Sequence, residues 1–336
     1  MKPRSTVPHW RRLELVCPAG TPAALQAAVE AGADAVYCGF NNVTNARNFP
    51  GLNFSEPEMA DAIRFAHDHQ TKVLVAINTY PQAGGSDLWR RAIDVAADLG
   101  ADAVILADIG LLDYATRYSA LRRHLSVQAC ASTGEAISFF AREFDVKRAV
   151  LPRVLTVAEI EALNAELSIE TEVFVFGGLC VMAEGRCSLS SYATGQSPNM
   201  NGVCSPACDV RFEQQPDSVL ARLGAFAIDR FEHGEPAGYP TLCKGRYLVR
   251  GEPLYLFEEP TSLSAFTLLP RLQQAGVTAI KIEGRQRGKA YIAKVVASFR
   301  QALDALANGS AMPESGLHGM AEGGRQTAGA YQKAWR

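Results

Sequence analysis

Residues 13–39 read LELVCPAGTPAALQAAVEAGADAVYCG, and they contain one complete strand–helix–strand unit. Two short apolar runs, Leu13–Cys17 and Ala35–Gly39, flank an alanine-rich segment. Thr21 before a proline predicts the helix start, because threonine caps the first turn and proline is favoured at its first position. Gly32 predicts the helix end, since glycine readily takes the left-handed conformation there. The stretch therefore predicts two parallel strands joined by a helix.

The same pattern recurs along the chain and predicts eight strands that alternate with helices. Strands this apolar are typical of a parallel sheet that is buried on both faces. Eight such units favour a closed (β/α)8 barrel of the TIM type over an open, doubly wound sheet. The candidate strands are Leu13–Cys17, Ala35–Gly39, Lys72–Ile77, Ala103–Ala107, Ser126–Ala129, Ala149–Leu151, Glu172–Phe176 and Thr278–Ile282.

Helix boundaries follow from caps and glycines. Glycines 100 and 276 predict helix ends in the same way as Gly32. Three capping boxes predict helix starts: Ser55 with Glu58, Ser132 with Glu135, and Thr156 with Glu159.

One connection is far longer than an ordinary loop between a strand and its helix. We expect an N-terminal extension over residues 1–12 and a barrel domain over residues 13–307. The barrel contains an insertion at 178–260, between strand seven and a helix that begins near Ser262. A hairpin is predicted there, Arg246–Val249 and Leu254–Phe257 turning at Gly251. Residues 308–336, rich in small residues, predict a loosely packed C-terminal tail.

The composition restricts the class of protein. The 336-residue chain has a formal net charge of −2 and lacks the basic excess that usually accompanies nucleic-acid binding. We therefore expect no nucleic-acid partner. The sequence contains no apolar run of membrane-spanning length and no apolar leader at residues 1–12, so we expect a cytoplasmic protein without a membrane span.

Five of the eight cysteines lie within residues 180–243, inside the insertion. Disulfides are not expected in a reducing compartment, so metal or cluster binding is the leading use for cysteines that gather. Spacing alone leaves three alternatives open: an iron–sulfur cluster, a structural zinc, or buried unligated thiols. Arg186, Lys244 and Arg246 flank the cysteines and could offset thiolate charge. Three further cysteines, Cys17, Cys38 and Cys130, are expected to behave as small hydrophobic residues.

The segment that carries the first two of these cysteines is distinctive. Residues 172–190, EVFVFGGLCVMAEGRCSLS, resemble the signature of the collagenase-like (U-thirty-two) peptidase family. Gly178 departs from that pattern, which has serine or alanine there. Further segments resemble the branch of the family that acts in ubiquinone biosynthesis. These are residues 15–20 (LVCPAG), 44–47 (TNAR), 51–54 (GLNF), 150–153 (VLPR), 238–247 (GYPTLCKGRY), 259–263 (EPTSL) and 281–285 (KIEGR).

The resemblance implies a four-iron four-sulfur cluster on Cys180, Cys187, Cys204 and Cys243, with Cys208 outside the ligand set. It also implies oxygen-independent hydroxylation of aromatic ubiquinone precursors as a heterodimer with a homologous iron–sulfur subunit. A lipid-binding accessory protein would help to present the substrate. Some relatives hydroxylate RNA bases with prephenate implicated as the oxygen donor, so an organic donor is expected here as well.

Polar residues near the ends of the candidate strands are the candidates for substrate binding. An arginine fork suits a carboxylate, because two parallel N–H donors fix its orientation. The first candidates are Arg47, Arg153 and Arg285, although each could instead form an ion pair at the rim, for instance with Glu283 or Asp108. The other candidates are Asn45, Gln128, Lys281 and Glu283; Asn78 also ends a strand, and Glu184 is expected to face solvent.

Other functions remain as alternatives. A peptidase finds little support, because the sequence has no H-E-x-x-H or G-x-S-x-G motif and His233 fits an exposed loop. An RNA-base hydroxylase and a scaffold with a purely structural cluster are the remaining candidates. The residues of the catalytic step itself are not identified by any motif.

Overall fold

The computed structural model describes residues 12–332, and its centre is a closed barrel of eight parallel strands. Consecutive strands pair in order, and the last pairs with both the first and the seventh, which closes the barrel. The predicted TIM-type (β/α)8 fold is confirmed. Its strands are β1 (Glu14–Pro18), β2 (Ala35–Cys38), β3 (Lys72–Ile77), β4 (Ala103–Leu106), β5 (Arg122–Leu125), β6 (Val146–Val150), β7 (Glu170–Gly178) and β14 (Ala279–Ile282).

Helices surround the barrel and begin where their caps predict. Thr21 caps the first helix, while Ser55 and Thr156 form capping boxes with the glutamates three residues later. The predicted box at Ser132 is wrong, because Thr133 takes the cap position and accepts a bond from the amide of Ala136. The helices outside the barrel are α1 (Pro22–Glu30), α2 (Glu56–Asp68), α3 (Asp87–Asp98), α4 (Ile109–Tyr118), α5 (Gly134–Phe144), α6 (Val157–Glu166), α9 (Leu269–Gln274) and α10 (Lys289–Ala307).

The fifth strand lies earlier than predicted. Residues 126–129 form a cap and a short 3-10 turn, and the strand is Arg122–Leu125. The apolar pattern missed this strand because it contains polar residues. The fold supplies a partner for the buried arginine: Arg123 donates to the Phe144 carbonyl at 3.0 Å and pairs with Asp145 at 2.6 Å. The sixth strand likewise begins at Val146 and not at Ala149. The apolar pattern missed its start because two of its first three residues are cations.

The barrel interior has an apolar half and a charged half. Strands β1–β4 contribute small or apolar residues such as Val16, Leu74 and Ile105. Strands β5–β7 and β14 contribute His124, Arg148, Glu172 and Lys281, each at most 4% exposed. The Lys281 ammonium lies 2.6 Å from Glu172, and Arg148 lies 3.2 Å from the same carboxylate. These charges are paired, as burial away from water demands.

The insertion after β7 folds on its own small sheets. It contains β8 (Val210–Gln214), β9 (Ser218–Leu223) and β10 (Phe226–Glu232) in one antiparallel sheet, the hairpin of β11 (Arg246–Val249) and β12 (Glu252–Tyr255), and the short helices α7 (Leu189–Thr194) and α8 (Pro198–Asn201). The hairpin is confirmed, although its second strand begins at Glu252. Both turn residues, Arg250 and Gly251, have the positive φ of a two-residue hairpin turn.

Two expectations beyond the insertion are wrong. No helix begins at Ser262: residues 262–264 form β13, antiparallel to β7, and α9 starts at Leu269. The tail is not loosely packed, since β15 (Gln326–Thr327) pairs with β13 and Tyr331 is buried. The Tyr331 hydroxyl donates to the carbonyl of Phe174 on β7, which ties the tail to the barrel.

Residues 1–11 of the predicted N-terminal extension, and residues 333–336, lie outside the described part. Among the helices of residues 12–332, none has both the length and the apolar character needed to cross a membrane.

Candidate functional site

The insertion carries the four predicted ligand cysteines above the carboxyl ends of the barrel strands. Cys180 follows β7, and Cys187 comes just before α7. Cys204 follows α8, and Cys243 lies in the 3-10 turn Leu242–Lys244. The site is thus assembled from three segments of the insertion after β7, the first of which carries both Cys180 and Cys187.

The four thiols share one electrostatic environment. The pKa of Cys204 is raised to about 11, first by burial and then by the charges of Cys180, Cys243 and Cys187, against the lowering effect of Arg47. Burial also raises the pKa of Cys243, and Cys180 and Cys187 add to that shift, while Lys244 opposes it. Cys180 and Cys187 therefore lie within electrostatic range of both Cys204 and Cys243, and a ligand shared by the four stays a prediction.

Cys208 does not belong to this group. Its thiol is exposed and donates to the Asp209 carboxylate at 3.4 Å. The main charges that shift the pKa values of Cys204 and Cys243 come from other residues. Cys17 and Cys38 are fully buried in the core, as expected, and Cys130 is half-buried in a left-handed conformation after β5.

Donor chemistry is the test of whether these residues fit a cluster. Four thiols with nearby cations are the ligand type that iron–sulfur clusters use. Within residues 12–332, no three His, Cys, Asp or Glu side chains are already arranged to hold a metal ion. The donor set fits the expected group, but the spacing of the sulfurs is not that of a preformed single-ion site.

Two arginines that the sequence analysis assigned to substrate binding act on the thiols electrostatically. Arg47 and Arg153 both lie within range of Cys180: burial lowers their pKa values, but the surrounding anions, including Cys180, outweigh it and raise them. Of the three cations expected from sequence, Lys244 does act on Cys243. Arg246 pairs with Asp229 at 2.6 Å and with Glu235 at 2.9 Å, so its charge is already balanced by these two carboxylates.

Arg153 forms a buried ion pair with Glu184. The guanidinium also donates to the Gly178 carbonyl at 2.6 Å and lies over the Phe174 ring at 4.4 Å. The solvent-facing position expected for Glu184 is therefore wrong, because the arginine neutralises it in the interior. This pair links the end of β6 to the loop between the first two cysteines.

Arg47 and Glu283 form a second link at the rim. Arg47 Nε lies 3.4 Å from a Glu283 oxygen, and the other Glu283 oxygen accepts the Gly178 amide at 3.2 Å. Burial raises the pKa of Glu283, but Arg47 and Arg153 outweigh it and hold the carboxylate ionised. The ion pair that was the alternative to substrate binding by Arg47 is present.

The remaining candidates also have protein partners. Arg285 donates to the Asn45 side chain at 2.9 Å and to the Ala46 carbonyl, and burial lowers its pKa to about 10. Lys281 is paired with Glu172 inside the barrel, 3.8 Å above the Tyr37 ring. Asn78 accepts the amide of Ala46 at 2.9 Å. Asn45, Arg285 and Asn78 therefore shape the loop after β2.

Gln128 differs from these, because its side-chain oxygen is buried without a hydrogen-bond partner in the described residues. Its backbone carbonyl accepts the hydroxyl of Tyr80 at 2.7 Å. Tyr80 was not identified from the sequence, although its position two residues beyond Asn78 at the end of β3 was a usable signal. The pair marks a second polar cluster beside the cysteines.

Most of the chain matches a known family. The sequence profile of peptidase family U32 matches residues 20–326. The chain belongs to peptidase family U32. This confirms the family that residues 172–190 indicated, and the barrel is its fold.

Curated relatives of the chain differ in their named activities. An uncharacterized protease of Methanocaldococcus jannaschii is 31% identical over 303 residues, covering 89% of this chain and 67% of the relative. A tRNA hydroxylation protein of Escherichia coli is 29% identical and covers 88% of this chain and 69% of the relative. A 23S rRNA 5-hydroxycytidine synthase of the same organism is 30% identical, covering 88% of this chain and 40% of that protein. The chain spans about two thirds of the length of the first two.

A solved U32 peptidase, Mk0906, has the same fold. The TM-score is 0.50 at 15% sequence identity, over 83% of this chain and 96% of that protein. At this identity the likeness concerns the fold alone.

Proposed function

We propose that this U32 protein is a UbiU-like subunit of an oxygen-independent hydroxylase for aromatic ubiquinone precursors, with a four-iron four-sulfur cluster on Cys180, Cys187, Cys204 and Cys243. One observation carries the proposal: Cys180 and Cys187 both help to raise the pKa values of Cys204 and Cys243 at the active end of a TIM barrel, whereas the Cys208 thiol is exposed and bonded to Asp209. The curated relatives named as hydroxylation proteins support hydroxylation as the reaction class.

The surrounding residues suit an anionic cluster. Such a cluster, when bound, would supply one-electron chemistry that no side chain offers. Arg47 and Lys244 would offset the charge of the thiolates, and Arg153 with Glu184 would hold the loop between Cys180 and Cys187 in place. The described residues thus bind and orient the group.

The partners follow from the same proposal. The chain acts as a heterodimer with a UbiV-like homologous subunit, and a UbiT-like lipid-binding protein presents the apolar quinone precursor. An organic compound such as prephenate supplies the oxygen atom. One oxygen atom passes from the donor to the ring, where a C–H bond becomes a C–OH bond. The ring is oxidised by two electrons, and the donor, which loses the oxygen atom, is reduced by two.

Anaerobic co-expression with the homologous subunit tests the cluster. The purified protein should be brown and hold about four irons per chain. Cys180→Ala, Cys187→Ala, Cys204→Ala and Cys243→Ala should each remove about four irons per complex, because the homologous subunit keeps its own cluster, whereas the matched control Cys208→Ala should keep all of the iron. Colourless protein with one zinc, or loss of iron in Cys208→Ala alone, contradicts the ligand set.

The substrate is tested in cells grown without oxygen. Cells that lack the chain should accumulate under-hydroxylated quinone precursors, and the wild-type gene, but not the Cys204→Ala gene, should restore quinone. Nucleoside analysis of tRNA and rRNA from the same cells forms the second arm. Normal quinone with missing hydroxylated nucleosides would contradict the proposal in favour of RNA hydroxylation. Normal quinone and normal nucleosides would contradict any hydroxylase role under these conditions.

A further inference from the structure

The C-terminal tail packs against β13 and the end of β7 as a strap, defined here as residues 317–331. Leu317 at its start and Tyr331 at its end are both buried. Between them, β15 pairs with β13, and the Ser262 amide donates to the Arg325 carbonyl at 3.0 Å. The strap is therefore fixed at both ends and in its middle.

Glu322 connects the strap to the insertion. One oxygen of its carboxylate pairs with Lys244, and the other lies 3.0 Å from Arg287 Nη2 on the loop after β14. Its amide donates to Ser262 Oγ at 2.9 Å, which fixes the backbone. The Glu322 and Lys244 side chains are 26% and 14% exposed, so their attraction is screened less by water than that of a surface pair.

Lys244 lies in the turn that carries one proposed cluster ligand. It shares the 3-10 turn Leu242–Lys244 with Cys243. Burial raises the pKa of the Cys243 thiol, and the charge of Lys244 opposes that shift. Through Lys244, the strap therefore contacts this turn from outside the insertion.

Gly178, where this chain departs from the family signature, lies directly beside the Glu322 carboxylate. Its φ is not positive, so the backbone alone does not require a glycine there. A Cβ at this position would lie 3.1 Å from Glu322 Oε1, which is closer than an ordinary van der Waals contact. The glycine therefore leaves the room in which Glu322 reaches Lys244.

The end of the strap reaches the other part of the site. The Tyr331 hydroxyl donates to the carbonyl of Phe174, whose ring lies under the Arg153 guanidinium. Arg153 in turn pairs with Glu184, between Cys180 and Cys187. The strap thus touches the supports of two separate segments that carry proposed ligands.

We propose that Glu322 is a positioning residue, which binds Lys244 and so holds the turn of Cys243 against the barrel. The inference rests on the proposed function for the identity of the bound group, but any metal centre on Cys243 would be held in the same way. A side chain that orients a ligand from outside the ligand set typically changes metal affinity about 10- to 100-fold. Glu322 also balances the charge of Lys244 next to the proposed cluster.

Iron release to a chelator from the anaerobically co-purified complex tests the strap. Glu322→Gln keeps the size of the side chain and removes its charge, and it should release the iron of this chain about 10-fold faster. The matched control is Glu314→Gln, the same substitution at an exposed position of the tail, which should release iron as the wild type does. The Cys204→Ala complex identifies the iron of the homologous subunit, which is subtracted.

Two double variants show whether Glu322 acts through the contacts described. Lys244→Met should also speed release, but it should add little to Glu322→Gln, because both substitutions break the same ion pair. Gly178→Ala should speed release in the wild type but not in Glu322→Ala, which lacks the carboxylate that the methyl group would crowd. Additive effects in either double variant overturn the proposal.

The reduction potential separates this role from a general loss of stability. Reduction adds negative charge to a cluster, so Glu322→Gln should shift the potential of this chain's cluster upward, and Lys244→Met should shift it downward. Fast release with an unchanged potential would contradict the positioning role. Faster metal release in Glu322→Gln from a protein that holds zinc, or that hydroxylates no quinone precursor, would support the strap and contradict the proposed function. Normal hydroxylation with wild-type release and potential in Glu322→Gln would do the reverse.

Discussion

Gly202 packs so closely against Asn45 that a Cβ on the glycine would overlap the Asn45 carbonyl oxygen. The contact joins the insertion, two residues before Cys204, to the loop after β2. The amide of Asn48 completes it by donating to the Gly202 carbonyl at 3.3 Å. The position of Cys204 over the barrel therefore depends on a glycine at 202.

Gly202→Ala should displace the insertion from the loop after β2. The added methyl group meets backbone, which cannot move aside as a flexible side chain would, and the φ of +81° adds strain. We expect a loss of iron and a fall in the free energy of unfolding of more than about 1 kcal/mol. The control is Gly195→Ala, where φ is +72° but the space is open. Equal iron content in the two variants would contradict the prediction.

Removal of one member of the Arg153–Glu184 pair should be strongly destabilising. The two side chains are 6% and 4% exposed and lie 2.6 Å apart. Glu184→Ala leaves a buried guanidinium without its counter-ion, which should lower the free energy of unfolding by about 3–5 kcal/mol. Urea unfolding measures the loss. The exposed Arg142–Glu143 pair is the comparison, and Arg142→Ala should cost less than about 1 kcal/mol.

The stability of the barrel should depend on pH through His124. Burial, then the charges of Arg148, Arg122 and Lys281, holds the pKa of this imidazole well below its ordinary value of 6.5, while Glu14 opposes the shift. The unfolded state therefore binds a proton that the folded state does not. The contribution is fully present above pH 6.5 and declines by up to about 1.4 kcal/mol for each pH unit below it.

Urea unfolding between pH 5 and 8 tests this slope. His124→Gln should flatten the pH dependence relative to the wild type, whereas His69→Gln, at the exposed end of α2, should leave it unchanged. Parallel curves for His124→Gln and the wild type would show that this histidine does not carry the effect.

Thiol reactivity should divide the cysteines into three classes. Cys208 is exposed and should react with iodoacetamide first, with or without iron. The proposed ligands should react only after a chelator removes the metal. Cys17 and Cys38 should stay unmodified until the protein unfolds, because they are buried and burial raises the pKa of Cys38 to about 12. Mass spectrometry of labelled peptides gives the order, and protection of Cys208 by iron would contradict it.

Local signals predicted most of the fold. Apolar runs, caps at Ser55 and Thr156 and glycines at helix ends each act within a few residues, so they can be read without a structure. The fifth strand was missed because its stability comes from elsewhere in the chain. Arg123 is satisfied there by Asp145 and by backbone carbonyls, which a pattern of apolar residues does not reveal.

The sequence showed where the cysteines gather and that Lys244 lies next to Cys243, but it did not show the ion pairs of the arginines. The sequence by itself determined the repeating strand–helix units, the long insertion and the cysteines gathered within it. Only the tertiary structure decided which arginines are already engaged. Arg47 and Glu283 are 236 residues apart in the sequence. They form an ion pair only because β1 pairs with β14 and closes the barrel. An ion pair between residues so far apart cannot be predicted from the sequence around either residue.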